Sequence, residues 1–246
     1  MRRVMTNSQN LVLLSKFDEM FKRWNERKSG ERTGLHGSGI IVPKGEFCYR
    51  EQVMNINFRA SNHRTLPVNV LRIFLNGWHV HIKWQQLFVD EGVADCVEKT
   101  HFVKDLNLYF TPDAIITLSN IRYIVEIKSM NSNQFKTLNT PPLNAVRQSQ
   151  LYMHYSGVPR AIVLVENKDS NAFKNWVIDY DPSLARTYVV RLQNIKFLNN
   201  KFKKTGKLPA KTCDFEDCKR AQSCPHQKTC FASRKKRDEY KIEKTS

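Results

Sequence analysis

Two acids and an amine lie within sixteen residues of one another, in an arrangement that could hold a cation. The run Thr111-Pro112-Asp113-Ala114-Ile115-Ile116-Thr117-Leu118 is followed by Ser119-Asn120, then by Ile121-Arg122-Tyr123-Ile124-Val125-Glu126-Ile127-Lys128. Apolar and β-branched residues dominate both runs, which reads as two strands joined by a two-residue turn. With Leu118 opposite Ile121, every pair of residue numbers sums to 239, so Asp113 stands opposite Glu126. Opposed carboxylates on one face lie about 5 Å apart and repel unless positive charge sits between them. Alternation along the strand puts Glu126 and Lys128 on that face and turns Ile127 into the core. A slip of one residue would carry Asp113 to the other face, so the chemistry depends on register.

Cysteines form the second chemical feature. Cys213, Cys218, Cys224 and Cys230 crowd four thiols into eighteen residues of a segment too charged to build a core alone. Metal binding is the expected use, zinc being the simplest choice, held by four thiols or with His226 among its ligands. Cys96 falls in a strand-like segment and reads as a small buried apolar residue.

The elements that would position these groups follow from periodicity. Leu11, Leu14, Phe17, Phe21 and Trp24 recur every three or four positions and predict an amphipathic helix over 8–28. The glycine-rich stretch 30–39 lacks the lysine and hydroxyl residue of a phosphate-cradling loop and reads as a flexible connection. A helix is predicted over 48–58, and a longer one opens at Pro67 and closes at Gly92. Val70, Phe74, Gly77, His81, Trp84 and Phe88 share one stripe of the long helix, so His81 faces inward. Gly77, one turn before it, marks a close approach by another segment. Strands are predicted at 93–99, 108–118, 122–128, 161–166 and 176–179, and helices at 143–155 and 183–204. That order implies an α/β sandwich around one mixed sheet. The chain divides into an N-terminal helix and connection (1–45), a core (46–193) and a basic, cysteine-rich tail (194–246).

Forty basic residues against 23 acidic ones leave a formal charge of +17, which makes a polyanion the first partner to consider. The tail alone holds 15 basic and 6 acidic residues. Phosphate neutralisation by such groups reads no sequence, and Phe202 and Phe231 between the charges are candidates for stacking on unpaired bases. No apolar run is long enough to span a bilayer, and no secretory signal is apparent, so a reducing cytoplasm is expected.

These motifs together resemble the PD-(D/E)xK nuclease superfamily. Pro112-Asp113 with Glu126-Ile127-Lys128 is similar to its signature, Gly77-Trp78-His79-Val80-His81 to the G-x-x-x-H helix of the RecB-like branch, and Gln148-Ser149-Gln150-Leu151-Tyr152 to its Q-x-x-x-Y helix. The resemblance covers roughly residues 48–166. It implies a restriction-endonuclease-like core, with Asp113, Glu126, the main-chain carbonyl of Ile127 and His81 ligating Mg²⁺ or Mn²⁺. Lys128 would then orient or deprotonate the attacking water or stabilise transition-state charge, and Gln148 and Tyr152 would hold the substrate strand. The implied activity is metal-dependent hydrolysis of DNA, at ends or in single strands. A structure-specific endonuclease and a non-catalytic, zinc-containing nucleic-acid-binding protein are the alternatives. Cys48-Tyr49-Arg50 and the Cys224–Cys230 pair also look like elements of the iron–sulfur-containing members, which include CRISPR-adaptation nucleases, the AddB subunit and compact phage relatives. That likeness implies a [4Fe–4S] cluster on Cys48, Cys224, Cys230 and one of Cys213 and Cys218. It further implies a bacterial or phage-infected cell as the setting, and a helicase or recombination protein as a partner.

Overall fold

The structure is a computed structural model that describes residues 7–28, 33–60 and 66–242. Gly30 and the side chains of Leu11 and Leu14, which figure in the sequence reading, lie outside the described residues. The first half of the chain forms α1 (Asn7–Lys28), β1 (Leu35–His36), α2 (Gly37–Ile40), α3 (Tyr49–Asn57), α4 (Val68–Asp90), β2 (Ala94–Val97), β3 (His101–Val103), β4 (Leu108–Phe110) and β5 (Ala114–Leu118). The second half forms β6 (Ile121–Met130), α5 (Ser132–Lys136), α6 (Leu143–Ser156), β7 (Arg160–Asn167), β8 (Phe173–Asp179) and α7 (Pro182–Thr205), then the short helices α8 (Lys219–Ser223), α9 (Gln227–Phe231) and α10 (Arg234–Asp238).

The main sheet runs β2-β5-β6-β7-β8, with β6 and β7 parallel and the other neighbours antiparallel. Parallel neighbours need a crossover, and α6 supplies it between β6 and β7. Helix α4 covers one face, where Val80 packs with Ala114, Ile116, Val125, Ile127 and Leu164. On the other face α2, α3, α6 and α7 enclose the larger core, including Ile40, Val53, Met54, Ile124, Leu151, Tyr188, Leu192 and Ile195. Local signals set the helix ends. Asp181 accepts from the N–H groups of Ser183 and Leu184 at the start of α7, and Gly157 and Gly206, at φ +70° and +67°, close α6 and α7.

A second sheet, β1-β4-β3, was not foreseen. It also corrects the reading of 30–39 as a connection, because Leu35 and Ile40 are buried in the core. Arg191 secures this segment by donating to the carbonyls of Ile40 and Val42, each at 2.6 Å. The boundary between 193 and 194 is corrected as well: it would cut through α7, whose Ile195 and Phe202 belong to the core. The stripe assigned to α4 holds at Trp84 and Phe88 but fails at Phe74, which is 53 % exposed. The N-terminal half of α4 packs against α1, through Trp24 on Trp78 and an Arg72–Asp18 ion pair of 2.8 Å.

Candidate active site and thiol pocket

The hairpin forms in the expected register. Ser119 and Asn120 both take positive φ, 48° and 63°, as a type I′ turn requires, and Leu118 pairs with Ile121 and Ala114 with Val125. Asp113 lies one residue before β5, and continuing the register sets it opposite Glu126. Its Oδ2 accepts from the Ile127 N–H at 2.6 Å, and its Oδ1 lies 3.2 Å from His81 Nδ1. Lys128 donates to Glu126 Oε1. Asp113, Glu126, Lys128 and His81 therefore meet at one end of the hairpin.

Glu126 is the most strained of the four electrostatically. Its side chain is 2 % exposed, and Oε2 is buried with no hydrogen-bond partner among the described residues. Burial first, and the Asp113 charge second, push its pKa up to about 7, against the pull of Lys128. Burial works against the Lys128 ammonium, but the Glu126 carboxylate bonded to it and the Asp113 charge hold its pKa above the usual value. Burial likewise opposes protonation of His81, and the hydrogen bond and charge of Asp113 outweigh it, so that pKa is also raised. An unpaired, buried carboxylate oxygen beside a second carboxylate and an imidazole is a donor set suited to a divalent cation. No three His, Cys, Asp or Glu side chains form a finished cage among the described residues. Lys128 and the Ile127 N–H each engage one carboxylate oxygen, Glu126 Oε1 and Asp113 Oδ2.

Helix α4 is fixed over this site at several points. Gln85 Nε2 donates to the Asp113 carbonyl at 3.0 Å. Lys83 Nζ and Trp84 Nε1 each donate to the buried carboxylate of Glu166 on β7 at 2.6 Å. Gly77 faces Ser129 of β6, where an added Cβ would come within 3.3 Å of the hydroxyl, the close approach its position suggested. Sequence reasoning missed Gln85 and Glu166, since their signal is contact across 28 and 82 residues rather than local spacing.

Gln148 and Tyr152 sit one turn apart on α6, with Gln148 Nε2 donating to the Tyr152 hydroxyl at 2.8 Å. Tyr152 is 3 % exposed, stacks on Phe110 and leaves no room for a Cβ at Gly37. Its hydroxyl holds the Gln148 side chain in place. His79 is exposed, and His154 bonds the Tyr180 hydroxyl through Nδ1 at 2.7 Å. The two tail phenylalanines singled out for base stacking are otherwise engaged: Phe202 is core, and Phe231 lies under the Lys211 ammonium at 4.2 Å.

The tail folds back on α3. Arg59 N–H donates to the Tyr240 carbonyl and Ile242 N–H to that of Asn57, and His226 Nε2 lies 2.8 Å from Asn55 Oδ1. Cys48, Cys213, Cys224 and Cys230 line one pocket together with Arg50, Lys211 and Arg220. Cys218 is outside that lining, and its sulfur accepts from the Ala221 N–H at the start of α8. Arg50 Nε donates to Cys230 Sγ at 3.1 Å, and its other nitrogens bond the Pro209 and Cys230 carbonyls. Burial pushes the Cys213 thiol up to about 11 and the Cys224 thiol up to about 12, so neither ionises at neutral pH without a cation. No disulfide joins any of the six cysteines.

No family model and no curated protein sequence matches the chain. Among solved structures, the crystal structure of SSO0001 superposes with a TM-score of 0.52 at 14 % identity, covering 87 % of this chain and 94 % of that one. The chain thus shares its mixed α/β fold with SSO0001. LHK-Exo in complex with dAMP gives a TM-score of 0.47 at 14 % identity, over 70 % of this chain and 94 % of that one. LHK-Exo, an alkaline exonuclease from Laribacter hongkongensis, gives 0.47 at 13 % identity over 76 % and 98 %. No helix among the described residues is long and apolar enough to cross a membrane.

Proposed function

We propose that the protein is a divalent-metal-dependent deoxyribonuclease of the RecB-like PD-(D/E)xK type, an exonuclease acting on DNA ends or single strands. The observation that carries this reading is the unpartnered Glu126 Oε2, buried beside Asp113, Lys128 and His81 at one hairpin end. Mg²⁺ or Mn²⁺ on Asp113, Glu126, His81 and the Ile127 carbonyl would neutralise phosphodiester charge and lower the pKa of a bound water. The Lys128 ammonium, beside Glu126, would orient the attacking water and stabilise negative charge on the phosphoryl oxygens. Gln148, held by Tyr152, offers its amide to the strand. The net charge of +17 supplies sequence-independent attraction to DNA.

We assign the thiol pocket to a [4Fe–4S] cluster on Cys48, Cys213, Cys224 and Cys230, with Cys218 serving as a helix cap. Four thiols around one pocket, one from the start of α3 and three from the tail, are the all-thiolate donor set such a cluster takes. The cluster's part would be structural, joining the tail to α3.

The test is incubation of end-labelled linear and closed-circular DNA with manganese. Progressive loss of the linear substrate alone, abolished in Asp113→Ala and Lys128→Ala, supports the proposal. Cleavage of the circle points to an endonuclease, and wild-type rates in either variant refute the assignment. Binding in chelator with no hydrolysis after manganese is added favours a non-catalytic role. A colourless anaerobic preparation containing zinc and no iron overturns the cluster.

A further inference from the structure

The strand pair that carries Asp113 does not stop at the main sheet. Val97 pairs with Ala114 and Cys96 with Ile115 on one side of Asp113, while His101 pairs with Phe110 and Phe102 with Tyr109 on the other. Both sets keep one antiparallel register, and between them the ribbon bends at Glu98, φ +43°, and Pro112. β1 then adds on the far side of β4 and sets His36 beside Tyr109. Register thus lines up three aromatic side chains, His36, Tyr109 and Phe102, across three strands.

Their rings form a pile. His36 and Tyr109 lie 5.9 Å apart at 26°, and Tyr109 and Phe102 lie 4.4 Å apart at 20°. His36 and Tyr109 are half-buried, but the pile ends at Phe102, which is 48 % exposed on the edge strand β3. No strand pairs with β3 beyond Phe102 among the described residues. Cross-strand packing accounts for the inner pair of rings. It does not account for a large aromatic left open at the edge.

We infer that Phe102 is a stacking subsite for an unpaired base of the strand being cut, continuing the His36–Tyr109–Phe102 pile by one more ring. The inference rests on the nuclease reading above and adds a preference for single-stranded over duplex DNA. Tyr109 is four positions from Asp113, a reach of at most about 14 Å, and Phe102 stands one strand further out, about 5 Å more, so the subsite lies within a few nucleotides of the carboxylates. Exposed Lys99 and Lys104 at either end of β3 are available to adjacent phosphates. Of the acidic residues beside them, Glu98 is bonded to Gln85 and Asp105 is exposed. Inside a duplex each base has both faces covered by its neighbours and only the terminal pair leaves one open, so an unpaired strand offers Phe102 far more bases to stack. Stacking of this kind is tolerant of sequence because every base has a π face.

The test measures binding by fluorescence anisotropy in chelator, at fixed salt, for a 20-nucleotide oligothymidylate and a blunt duplex of equal length. Phe102→Leu keeps an apolar side chain but removes the ring; it is expected to weaken oligothymidylate binding about tenfold. Duplex affinity and the thermal midpoint are expected to stay unchanged, and Phe102→Trp to restore binding. Equal affinity of Phe102→Leu and wild type for the single strand, or an equal loss for both DNAs, overturns the inference. So does failure of Phe102→Trp to bind like wild type. In those cases manganese-dependent cleavage by wild type, absent in Asp113→Ala, leaves the nuclease reading standing. Wild type that binds neither DNA overturns both.

Discussion

Replacing Glu166 by glutamine tests how α4 is held over the site. The Glu166 side chain is 1 % exposed and receives two donors from consecutive residues of α4, Lys83 and Trp84, both at 2.6 Å. The two contacts are unequal. The Lys83 side chain is 50 % exposed and can turn to water, so its ion pair is worth about 1 kcal/mol or less. Trp84 Nε1 has only this carboxylate to bond in the structure, and a hydrogen bond to a charged group contributes about 1.5–3 kcal/mol. Glutamine keeps the shape but presents an NH₂ to one of two donors. The expected loss is about 2–3 kcal/mol, or roughly 4–12 °C in the midpoint of a chain this long. Trp84→Phe is expected to cost nearly as much, and Lys83→Ala under about 1 kcal/mol. Denaturant melts of the three single variants and of the Glu166→Gln/Trp84→Phe pair measure the coupling, which the reasoning sets at 1 kcal/mol or more. Additive losses from Glu166 and Trp84, or a Lys83→Ala loss as large as that of Trp84→Phe, would refute the reasoning.

Three further outcomes are expected. Gly37→Ala places a Cβ 2.7 Å from the Tyr152 ring, so it destabilises by about 1–3 kcal/mol and displaces the Gln148 amide, visible as a lower midpoint with reduced DNA binding. Metal-free protein loses stability as pH rises from the ordinary carboxylate range towards about 7, because Glu126 with its raised pKa must then charge while buried; Glu126→Gln flattens that slope in melts followed against pH. Cys213→Ser loses the iron expected in anaerobic wild-type preparations, whereas Cys218→Ser keeps both the iron and the midpoint, because a serine hydroxyl caps α8 as the thiol does; elemental analysis separates the two.

The parts of the fold written in short-range pattern were legible in the sequence. The apolar runs from Ala114 to Lys128 marked both strands, and the two-residue turn set their register; a slip of one residue would have parted Ile115 from Ile124. Helix α4 was legible from its stripe only where the sheet lies beneath it. At Phe74 the helix leaves the sheet and meets α1, and no pattern within α4 records where its partner ends. The second sheet was hidden because β1 has two residues and β3 three, too short to show alternation, and β1 pairs in parallel with a strand 73 positions away. The thiols could be counted but not sorted. Cys213 lines the pocket and Cys218 caps α8, and which of them does so depends on how the tail lies against α3.

Asp113 is gripped from several directions. Its carboxylate meets His81 of α4 and the Ile127 N–H of β6, and its carbonyl accepts from Gln85 of α4 and from the Glu98 N–H. These partners come from separate stretches of chain that come together only when helix, hairpin and bent ribbon have all docked. A partly assembled polypeptide, still emerging from synthesis or unravelling under stress, holds the aspartate loosely and offers no competent centre. On the nuclease reading proposed above, the ability to cut would then belong to the fully docked molecule alone and go with the first of these contacts to break.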